Sequence, residues 1–170
     1  MNIIICGAGK VGFSISKQLS SQGHSVTVID QSAEDVKRIN DTQDVKAIVG
    51  RASLPSVLES AGADNTDMII AVTRNDETNM IVCQLASSLF NISKKIARIR
   101  TKDFLEGKWS KIYNKSNIPI DVIISPEKEV AKSLFRRLEA PGALDNVPFV
   151  NNKVKMLEIA IEKSCPIINT

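Results

Sequence analysis

The sequence predicts an α/β fold in which helices cover both faces of a parallel sheet of about six strands. Two observations predict it. Short apolar runs alternate with segments whose apolar residues recur every three or four positions, as they do in helices. The first apolar run ends in a Gly-x-Gly-x-x-Gly loop, Gly7 to Gly12, and the second ends in Asp30. This combination is typical of a dinucleotide-binding β-α-β unit, so we expect a doubly wound sheet of the Rossmann type with a short C-terminal extension.

Each part of the loop has a physical role. Gly7 allows the tight turn out of the first strand, and Gly9 lets backbone amides approach a pyrophosphate with no Cβ between them. Gly12 lets the first helix pack closely, and the amino terminus of that helix offers unpaired N–H groups to phosphates. Asp30 is placed to accept hydrogen bonds from ribose hydroxyls. The alternative interpretation is that the glycines only shape the turn.

The first half of the sheet follows from alternating patterns and helix-capping signals. Val11, Ile15 and Leu19 are spaced as one face of the first helix, which Gly23 ends. The elements predicted up to residue 63 are a helix Val11–Ser21, a strand Ser25–Asp30, a helix capped by Ser32, a strand Val45–Gly50, and a helix capped by Ser53 with Pro55 as its second residue.

The second half repeats the alternation and then changes character at Glu139. We predict a central strand Met68–Val72 and then a helix to about Phe90, with Ile81, Leu85 and Leu89 facing inward. The next strand is Lys95–Arg100, with Ile96 and Ile99 as its apolar members. The remaining predicted elements are a helical stretch from Asp103, a strand Asp121–Ile124, a helix from Pro126 to about Leu138, and short strands Val147–Val150 and Val154–Glu162. Residues 1–138 are therefore the predicted nucleotide-binding domain. Residues 139–170 are the predicted linker and the incomplete start of a C-terminal regulatory domain.

Composition favours an ordinary soluble protein. The 170 residues are 43% hydrophobic and 24% charged, and the net charge of +3 with 4% aromatic residues argues against nucleic-acid binding. Cys6, Cys83 and Cys165 form no Cys-x-x-Cys pair, and the first two are expected in the core, which suits a reducing cytoplasm. The first strand begins at residue 2, so we expect no signal peptide. No apolar run has the length of a membrane span.

Further candidate binding residues follow the fourth and fifth strands, because ligands of open parallel sheets sit at the carboxyl ends of the strands. Thr73 and Arg74 follow the fourth strand, where they reach the adenosine side or the phosphates. Arg98 and Arg100 are two apart on the fifth strand and so share a face. An arginine there requires an anion, either a phosphate or the side chain of Asp76 or Glu77.

Catalytic equipment is sparse in the sequence. The single histidine, His24, precedes the second strand at the far end of the sheet from the loop. Tyr113 has Asn117, not lysine, four residues on, so the Tyr-x-x-x-Lys pair of short-chain dehydrogenases is missing. We therefore expect a protein that senses a nucleotide and is not an enzyme. The alternative is an NAD(P)-dependent oxidoreductase domain that lacks its substrate domain; a redox sensor acting through Cys6 or Cys83 is less favoured.

Several motifs together resemble one known family. These are Gly-Ala-Gly-Lys-Val-Gly, Val-Thr-Val-Ile-Asp, Ala-Val-Thr-Arg-Asn-Asp-Glu-Thr-Asn-Met, Ile-Ala-Arg-Ile-Arg and, near the C-terminus, Pro-Gly-Ala-Leu. They are similar to the RCK N-terminal, or KTN, domain, which regulates potassium transport and conductance. The similarity covers roughly residues 1–165, and its later motifs are more specific than the glycine loop because ordinary dehydrogenases do not share them.

The resemblance implies a site that binds NAD or NADH, with ATP or ADP as alternative ligands. Carried over to this sequence, the site consists of Gly7, Ala8, Gly9, Lys10, Val11, Gly12, Asp30, Thr73, Arg74 and Arg98. One position departs from the family pattern: Arg51 follows Gly50 where Asp or Asn is usual. An arginine near the adenosine end favours an extra phosphate, so the choice among NAD, ATP and NADP stays open.

The resemblance also implies the setting in which the site works. The expected partner is an integral-membrane potassium transporter subunit of the Trk type, regulated from the cytoplasm at the inner face of the plasma membrane. The expected assembly is a homo-oligomer in which dimers build a tetrameric ring, and no nucleic acid is involved. Family members carry further C-terminal domains, so we expect this chain to be a truncated version of that plan.

Overall fold

A computed structural model describes residues 1–150 and 153–161 of the chain, and these form two compact units, Met1–Ser125 and a unit that begins at Pro126. The strands of the first unit are β1 Asn2–Cys6, β2 Ser25–Asp30, β3 Lys46–Val49, β4 Met68–Ala71, β5 Lys94–Arg98 and β6 Val122–Ile124. Its helices are α1 Lys10–Ser21, α2 Ala33–Thr42, α3 Pro55–Ser60, α4 Asp76–Ser88 and α5 Lys102–Leu105, with 3₁₀ turns at Ala63–Asn65 and Gly107–Ile112.

The six strands form one parallel sheet in the order β3-β2-β1-β4-β5-β6, which confirms the predicted fold class. β1 lies at the centre, where Ile3 pairs with Val26 of β2 and with Met68 of β4. The chain runs outward from β1 in one direction and then from β4 in the other, so the order reverses between these two strands. The carboxyl ends of β1 and β4 therefore leave a crevice at one edge of the sheet, where ligands of such folds bind.

Both faces of the sheet are buried under helices. Along β1, Ile3 and Ile5 belong to one apolar cluster, and Ile4 and Cys6 belong to the other. A strand covered on both sides needs a continuous apolar sequence, which is why the alternation typical of half-exposed strands is missing from it. The predicted face of α1 is also observed, because Val11, Ile15 and Leu19 pack against the first of these clusters.

The predicted inward face of α4 is wrong. Ile81 and Leu89 are 49% and 54% exposed. Leu85 is only partly buried. The buried face instead carries the residues Asp76, Asn79, Met80, Val82, Cys83 and Ala86. Its first two turns contain polar residues that find partners at the ends of β4 and β5, so a polar sequence enters the interior there. The spacing of the apolar residues indicated the wrong side of the helix because the buried side carries these polar residues.

Several boundaries also differ from the predictions, among them the start of β7, which is Ala143 and not Val147. The residue that precedes α3 is Leu54, with no side-chain hydrogen bond, so the predicted cap by Ser53 is wrong. Pro55 occupies the first helical position, where a backbone N–H would have no partner within the helix, so its absence in proline costs no hydrogen bond. β5 ends at Arg98, so Arg100 lies beyond the strand. The predicted cap of α2 is confirmed, because the Ser32 side chain accepts a hydrogen bond from the Asp35 amide.

The described residues of the second unit form a helix and a hairpin. Its helix α6 spans Pro126–Glu139, and its strands β7 Ala143–Phe149 and β8 Val154–Ile159 pair antiparallel. The Asn146 side chain is buried and donates to the Arg136 carbonyl at 3.2 Å, which ties the hairpin to the helix. Glu162, where the last predicted strand was expected to end, and Cys165 lie outside the described residues. The predicted domain boundary at residue 138 stays a prediction.

A buried carboxylate fixes the start of α4 against the end of β5. Asp76 is 5% exposed, and its Oδ2 accepts hydrogen bonds from the amides of Arg100 at 3.0 Å and Thr101 at 2.8 Å. The Arg100 guanidinium lies 3.9 Å from Oδ1, so Arg100 has the acidic neighbour that the sequence offered as one alternative. Burial alone raises the pKa of Asp76, but the hydrogen bonds from Thr101 and Arg100 and the Arg100 charge outweigh it, so the pKa lies below its ordinary value.

We predict that Gly12→Ala destabilises the fold while Gly9→Ala does not. A Cβ on Gly12 would lie 1.8 Å from the Gly7 carbonyl oxygen, whereas a Cβ on Gly9 would meet nothing within 4 Å. Overpacking of this kind costs about 1–3 kcal/mol or more, so urea unfolding without nucleotide should show that loss for Gly12→Ala alone. Gly9→Ala should stay within about 0.5 kcal/mol of wild type. Equal stability of the two variants would contradict the packing argument.

We predict that Asp76→Asn lowers the free energy of unfolding at pH 7 by about 1.5–3 kcal/mol, the range for hydrogen bonds to a charged group. The lowered pKa of Asp76 gives a stabilisation that is present above the unfolded pKa near 4 and is lost as the pH falls through the folded pKa. The difference between wild type and variant should therefore shrink below about pH 4. The control is Asp41→Asn at an exposed site on α2, which should change stability little at any pH. If the difference in free energy of unfolding between wild type and Asp76→Asn did not change with pH, the electrostatic part of this prediction would be refuted.

Candidate functional site

A cavity of about 830 Å³ opens at the carboxyl edge of the sheet. Its size lies in the range of about 300–1,000 Å³ that is usual for small-molecule sites. All of its lining residues belong to the unit Met1–Ser125, and they come from the ends of the strands β2 and β5 and from the segments that follow β1 to β5. Eight of the eleven predicted site residues line it: Gly7, Gly9, Lys10, Val11, Asp30, Thr73, Arg74 and Arg98.

The other three predicted residues lie beside the cavity and are not among its lining residues. Ala8 is fully buried, and Gly12 lies directly under the Gly7 carbonyl. Arg51 is exposed and follows Gly50, which does line the cavity. Ala8 and Gly12 therefore shape the loop from the side that faces away from the cavity. The role of Arg51 near the adenosine end stays a prediction.

The glycine loop leaves the start of α1 open toward the cavity. Gly7 has φ +118°, a conformation that favours glycine, and its amide donates to the Ile29 carbonyl at 2.8 Å. The helix begins at Lys10, and Gly9 before it provides no side-chain cap for the first amides. The first N–H groups of a helix have no partner within the helix and carry partial positive charge. A ligand oxygen with negative charge fits at this position.

Asp30 ties the glycine loop to the end of β2. Its Oδ2 accepts a hydrogen bond from the Ala8 amide at 2.6 Å, and its Oδ1 accepts one from the Ser32 amide at 2.8 Å. Each carboxylate oxygen has a second lone-pair direction, so both retain capacity to accept a hydroxyl. The carboxylate thus has a structural task in addition to the sugar contact that the sequence predicts for it.

Arg38 on α2 holds the same loop from the other side, and sequence reasoning missed it. Its guanidinium donates to the Ala8 carbonyl at 3.1 Å, lies 2.7 Å from Asp35, and sits 5.2 Å from the centre of the Phe13 ring. Because Asp30 holds the Ala8 amide and Arg38 holds its carbonyl, Ala8 is fixed on both sides. The only sequence signal was an arginine three residues after an aspartate on a helix, which usually indicates a surface pair.

The charges that line the cavity are unequal in number and separated in space. Four cations line it, namely Lys10, Arg74, Arg98 and Arg100, against the two carboxylates Asp30 and Asp35. The carboxylates lie at the end of β2 and the start of α2, whereas Arg74 follows β4, Arg98 ends β5 and Arg100 lies just beyond it. An excess of positive charge in a concave site attracts anions. The arrangement suits a ligand with hydroxyls near β2 and phosphates toward the loop and the arginines.

Thr73 is held by Asn79 of α4, a contact that the sequence did not reveal. The Thr73 hydroxyl lies 2.7 Å from the Asn79 side-chain oxygen, and the same oxygen accepts the Thr73 amide at 3.0 Å. The Asn79 NH₂ group donates to the Arg98 carbonyl at 2.8 Å. A signal was available in the chain, because Asn79 lies three residues after Asp76 and hence on the same face of the helix.

Among the described residues, the histidine and the tyrosine that the sequence offers do not line the cavity. His24 precedes β2 and so lies at the opposite edge of the sheet, and the Tyr113 hydroxyl has the Met80 sulfur at 3.8 Å. Within residues 1–150 and 153–161, no group of three or more His, Cys, Asp or Glu side chains is placed to bind a metal. Burial raises the pKa of Cys6, and it raises that of Cys83 to about 12, so both are thiols at neutral pH.

No helix within residues 1–150 and 153–161 combines the length and the apolar character that a bilayer span needs.

Two solved structures of the GsuK channel have the same fold as this chain. The channel bound to NAD matches with a TM-score of 0.66 and 16% sequence identity, over 88% of this chain and 25% of the channel chain. The form bound to ADP matches with a TM-score of 0.65 and 16% identity, over 84% of this chain and 35% of the other.

Relatives in other organisms are much closer in sequence. The Trk system potassium uptake protein TrkA of Azorhizobium caulinodans is 42% identical over 170 residues, which is 100% of this chain and 37% of the relative. The protein of the same name in Vibrio alginolyticus is 38% identical over 168 residues, or 99% of this chain and 36% of the relative. The chain thus spans little more than a third of these relatives. Residues 3–126 match the TrkA-N domain, so the resemblance predicted from the sequence is confirmed and the chain belongs to the TrkA-N domain family.

Proposed function

We propose that this chain is a nucleotide-binding regulatory domain of a potassium-transport system, with NAD or NADH in the cavity and ATP or ADP as alternative ligands. The observation that carries the proposal is the cavity itself. One concave site brings together a glycine loop, an uncapped helix start, a carboxylate and an excess of cations. Family membership supports the potassium-transport setting, and the nucleotides in the two GsuK structures support the ligand class.

In this proposal the chain's own residues divide the work of binding. The backbone from Gly7 to Val11 and the start of α1 receive the phosphates, while Asp30 accepts the ribose hydroxyls. The phosphate side of the cavity is completed by four side chains, those of Lys10, Thr73, Arg74 and Arg98. Ala8 and Gly12 give the loop its shape, and Arg51 is the residue that would favour an additional phosphate at the adenosine end.

The bound nucleotide acts as a signal and is not consumed. A ligand that binds two arrangements of the protein with different affinity shifts the equilibrium between them, and a partner reads that shift. The partner is an integral-membrane potassium transporter subunit of the Trk type. The regulatory chains assemble as dimers that build a tetrameric ring in the cytoplasm, at the inner face of the plasma membrane. The sparse catalytic equipment around the cavity supports a regulator over an oxidoreductase.

We predict that the chain binds ADP and NADH, and that Asp30→Ala lowers the affinity for ADP about 10- to 100-fold. Loss of a hydrogen bond to a charged group costs about 1.5–3 kcal/mol, which corresponds to that range. Isothermal titration calorimetry with each nucleotide measures it. Asp41→Ala, an exposed aspartate on α2 away from the cavity, is the control and should bind like wild type.

A second ligand separates the sugar contact from the role of Asp30 in holding the loop. Wild type should prefer ADP over 2′-deoxy-ADP, whereas Asp30→Ala should bind the two equally, because the variant lacks the acceptor for the 2′-hydroxyl. Undiminished ADP binding by Asp30→Ala, or an unchanged preference for the 2′-hydroxyl, would count against the assignment.

We predict that NADH is bound without being oxidised. Mixed with the chain and small aldehydes or ketones, NADH should change its fluorescence on binding while its total concentration stays constant over hours. A dehydrogenase added to the same mixture provides the positive control. Sustained, substrate-dependent oxidation of NADH would favour the rival interpretation, an oxidoreductase domain without its substrate domain.

A further inference from the structure

We propose that Asn79 is a positioning residue of the nucleotide site, which sets the phosphate side of the cavity without touching the ligand. This inference rests on the proposed function. It assigns a role to a residue on α4 that does not line the cavity. Its consequence is that α4 and the phosphate-binding residues move together.

The Asn79 side chain connects three segments of the chain. Its oxygen accepts the Thr73 amide at 3.0 Å and lies 2.7 Å from the Thr73 hydroxyl. Its nitrogen donates to the Arg98 carbonyl at 2.8 Å and lies 3.4 Å from the Thr73 carbonyl. The residue therefore joins α4 to the segment after β4 and to the last residue of β5. Both of the residues that it holds line the cavity.

An amide is the side chain that suits this position. A primary amide has one oxygen that accepts two hydrogen bonds and one nitrogen that donates two, and each of these four places has a polar neighbour here, the Thr73 carbonyl being the most distant at 3.4 Å. A carboxylate could not donate to the Arg98 carbonyl, and an aliphatic side chain could make none of the four contacts. Asn79 is 0% exposed, so groups left without it would be deprived of a partner in the interior.

The position of Asn79 links it to the ligand side of the fold. Asp76, one turn earlier on the same face of α4, holds the amide of Arg100, and Arg100 also lines the cavity. The first two turns of α4 thus hold three residues of the cavity wall, namely Thr73, Arg98 and Arg100. The next positions on that face, Val82 and Cys83, are apolar and fully buried. The strong polar contacts of α4 described here lie at the end that meets the cavity, and farther along the Cys83 thiol makes a weak contact with the Ile96 carbonyl at 3.9 Å.

The role predicts a selective effect on ligands. If Asn79 sets the spacing of Thr73 and Arg98, its loss weakens the contacts made by phosphates. Adenosine has no phosphate and should be affected much less. If Asn79 only stabilised the fold, its loss would lower the population of binding-competent protein. The affinities for ADP and for adenosine would then fall by the same factor.

The test compares ADP and adenosine binding to wild type and to Asn79→Ala. ADP affinity is measured by calorimetry, and adenosine affinity by an NMR titration that reaches millimolar concentrations. We expect the ADP affinity to fall at least tenfold and the adenosine affinity to fall less than twofold. If Asn79→Ala does not fold, Asn79→Ser, which keeps a short polar group, serves for the same comparison and should show the same split in a milder form.

Asn40→Ala is the matched control. Asn40 also bridges a helix and a strand with its amide, donating to the Ala47 carbonyl at 3.1 Å and accepting the Ala47 amide at 2.9 Å, but neither residue lines the cavity. This variant should leave the ratio of ADP to adenosine affinity at the wild-type value. If Asn79→Ala lowered the affinities for both ligands equally, or did not lower the affinity for ADP, the positioning role would be overturned while the proposed function stayed intact. Absence of ADP and NADH binding by wild type would overturn both.

Discussion

The close contact between α1 and the glycine loop is the constraint on which the site depends. Gly12 lies so near the Gly7 carbonyl that a single added carbon would be 1.8 Å from its oxygen. This contact brings the first turn of α1 against the end of β1, while Gly9 faces open space. The unpaired amides at the start of the helix therefore meet the cavity directly and are not covered by a side chain. Every proposed phosphate contact of the loop follows from this geometry.

The ends of the strands are then fixed one by one by side chains from other segments. Asp30 holds the Ala8 amide after β1, and Asn79 holds Thr73 after β4. Asp76 holds the Arg100 and Thr101 amides after β5. Backbone groups beyond the last ladder bond of a parallel strand need partners, and these three side chains provide them. The wall of the cavity is therefore organised by the chain itself, which lowers the ordering cost that a ligand must meet.

Much of this architecture could be predicted from the sequence because local signals and topology agree. The glycine loop, the apolar strands and the capping serine Ser32 each specify their own element, and the parallel order brings the strand ends together. That is why residues far apart in sequence, such as Asp30 and Arg98, were expected at one edge and both line the same cavity. Lys95 shows the opposite case. No signal in the sequence predicted its burial, yet it is buried, with its amine 3.1 Å from Asp121 and donating to the Ile92 carbonyl.

The residues that sequence reasoning missed share one physical cause. Arg38 and Asn79 act through hydrogen bonds to backbone groups of distant segments. A backbone carbonyl is present at every residue, so the sequence holds no mark of which one a side chain will meet. The wrong face of α4 has the same origin. A pattern of apolar residues indicates which side of a helix can be buried, but not whether polar residues on another side have partners there.

The two halves of the buried face of α4 connect the core to the cavity. Its later turns pack Val82, Cys83 and Ala86 into the apolar cluster on one face of the sheet. Its first two turns use Asp76 and Asn79 to hold the cavity wall. Because closely packed interiors resist small displacements, the apolar turns fix where the polar turns must lie. A change in the spacing of Thr73 and Arg98 therefore requires the start of α4 to move with them. Under the proposed function, a helix held in this way is the element able to carry nucleotide binding away from the site.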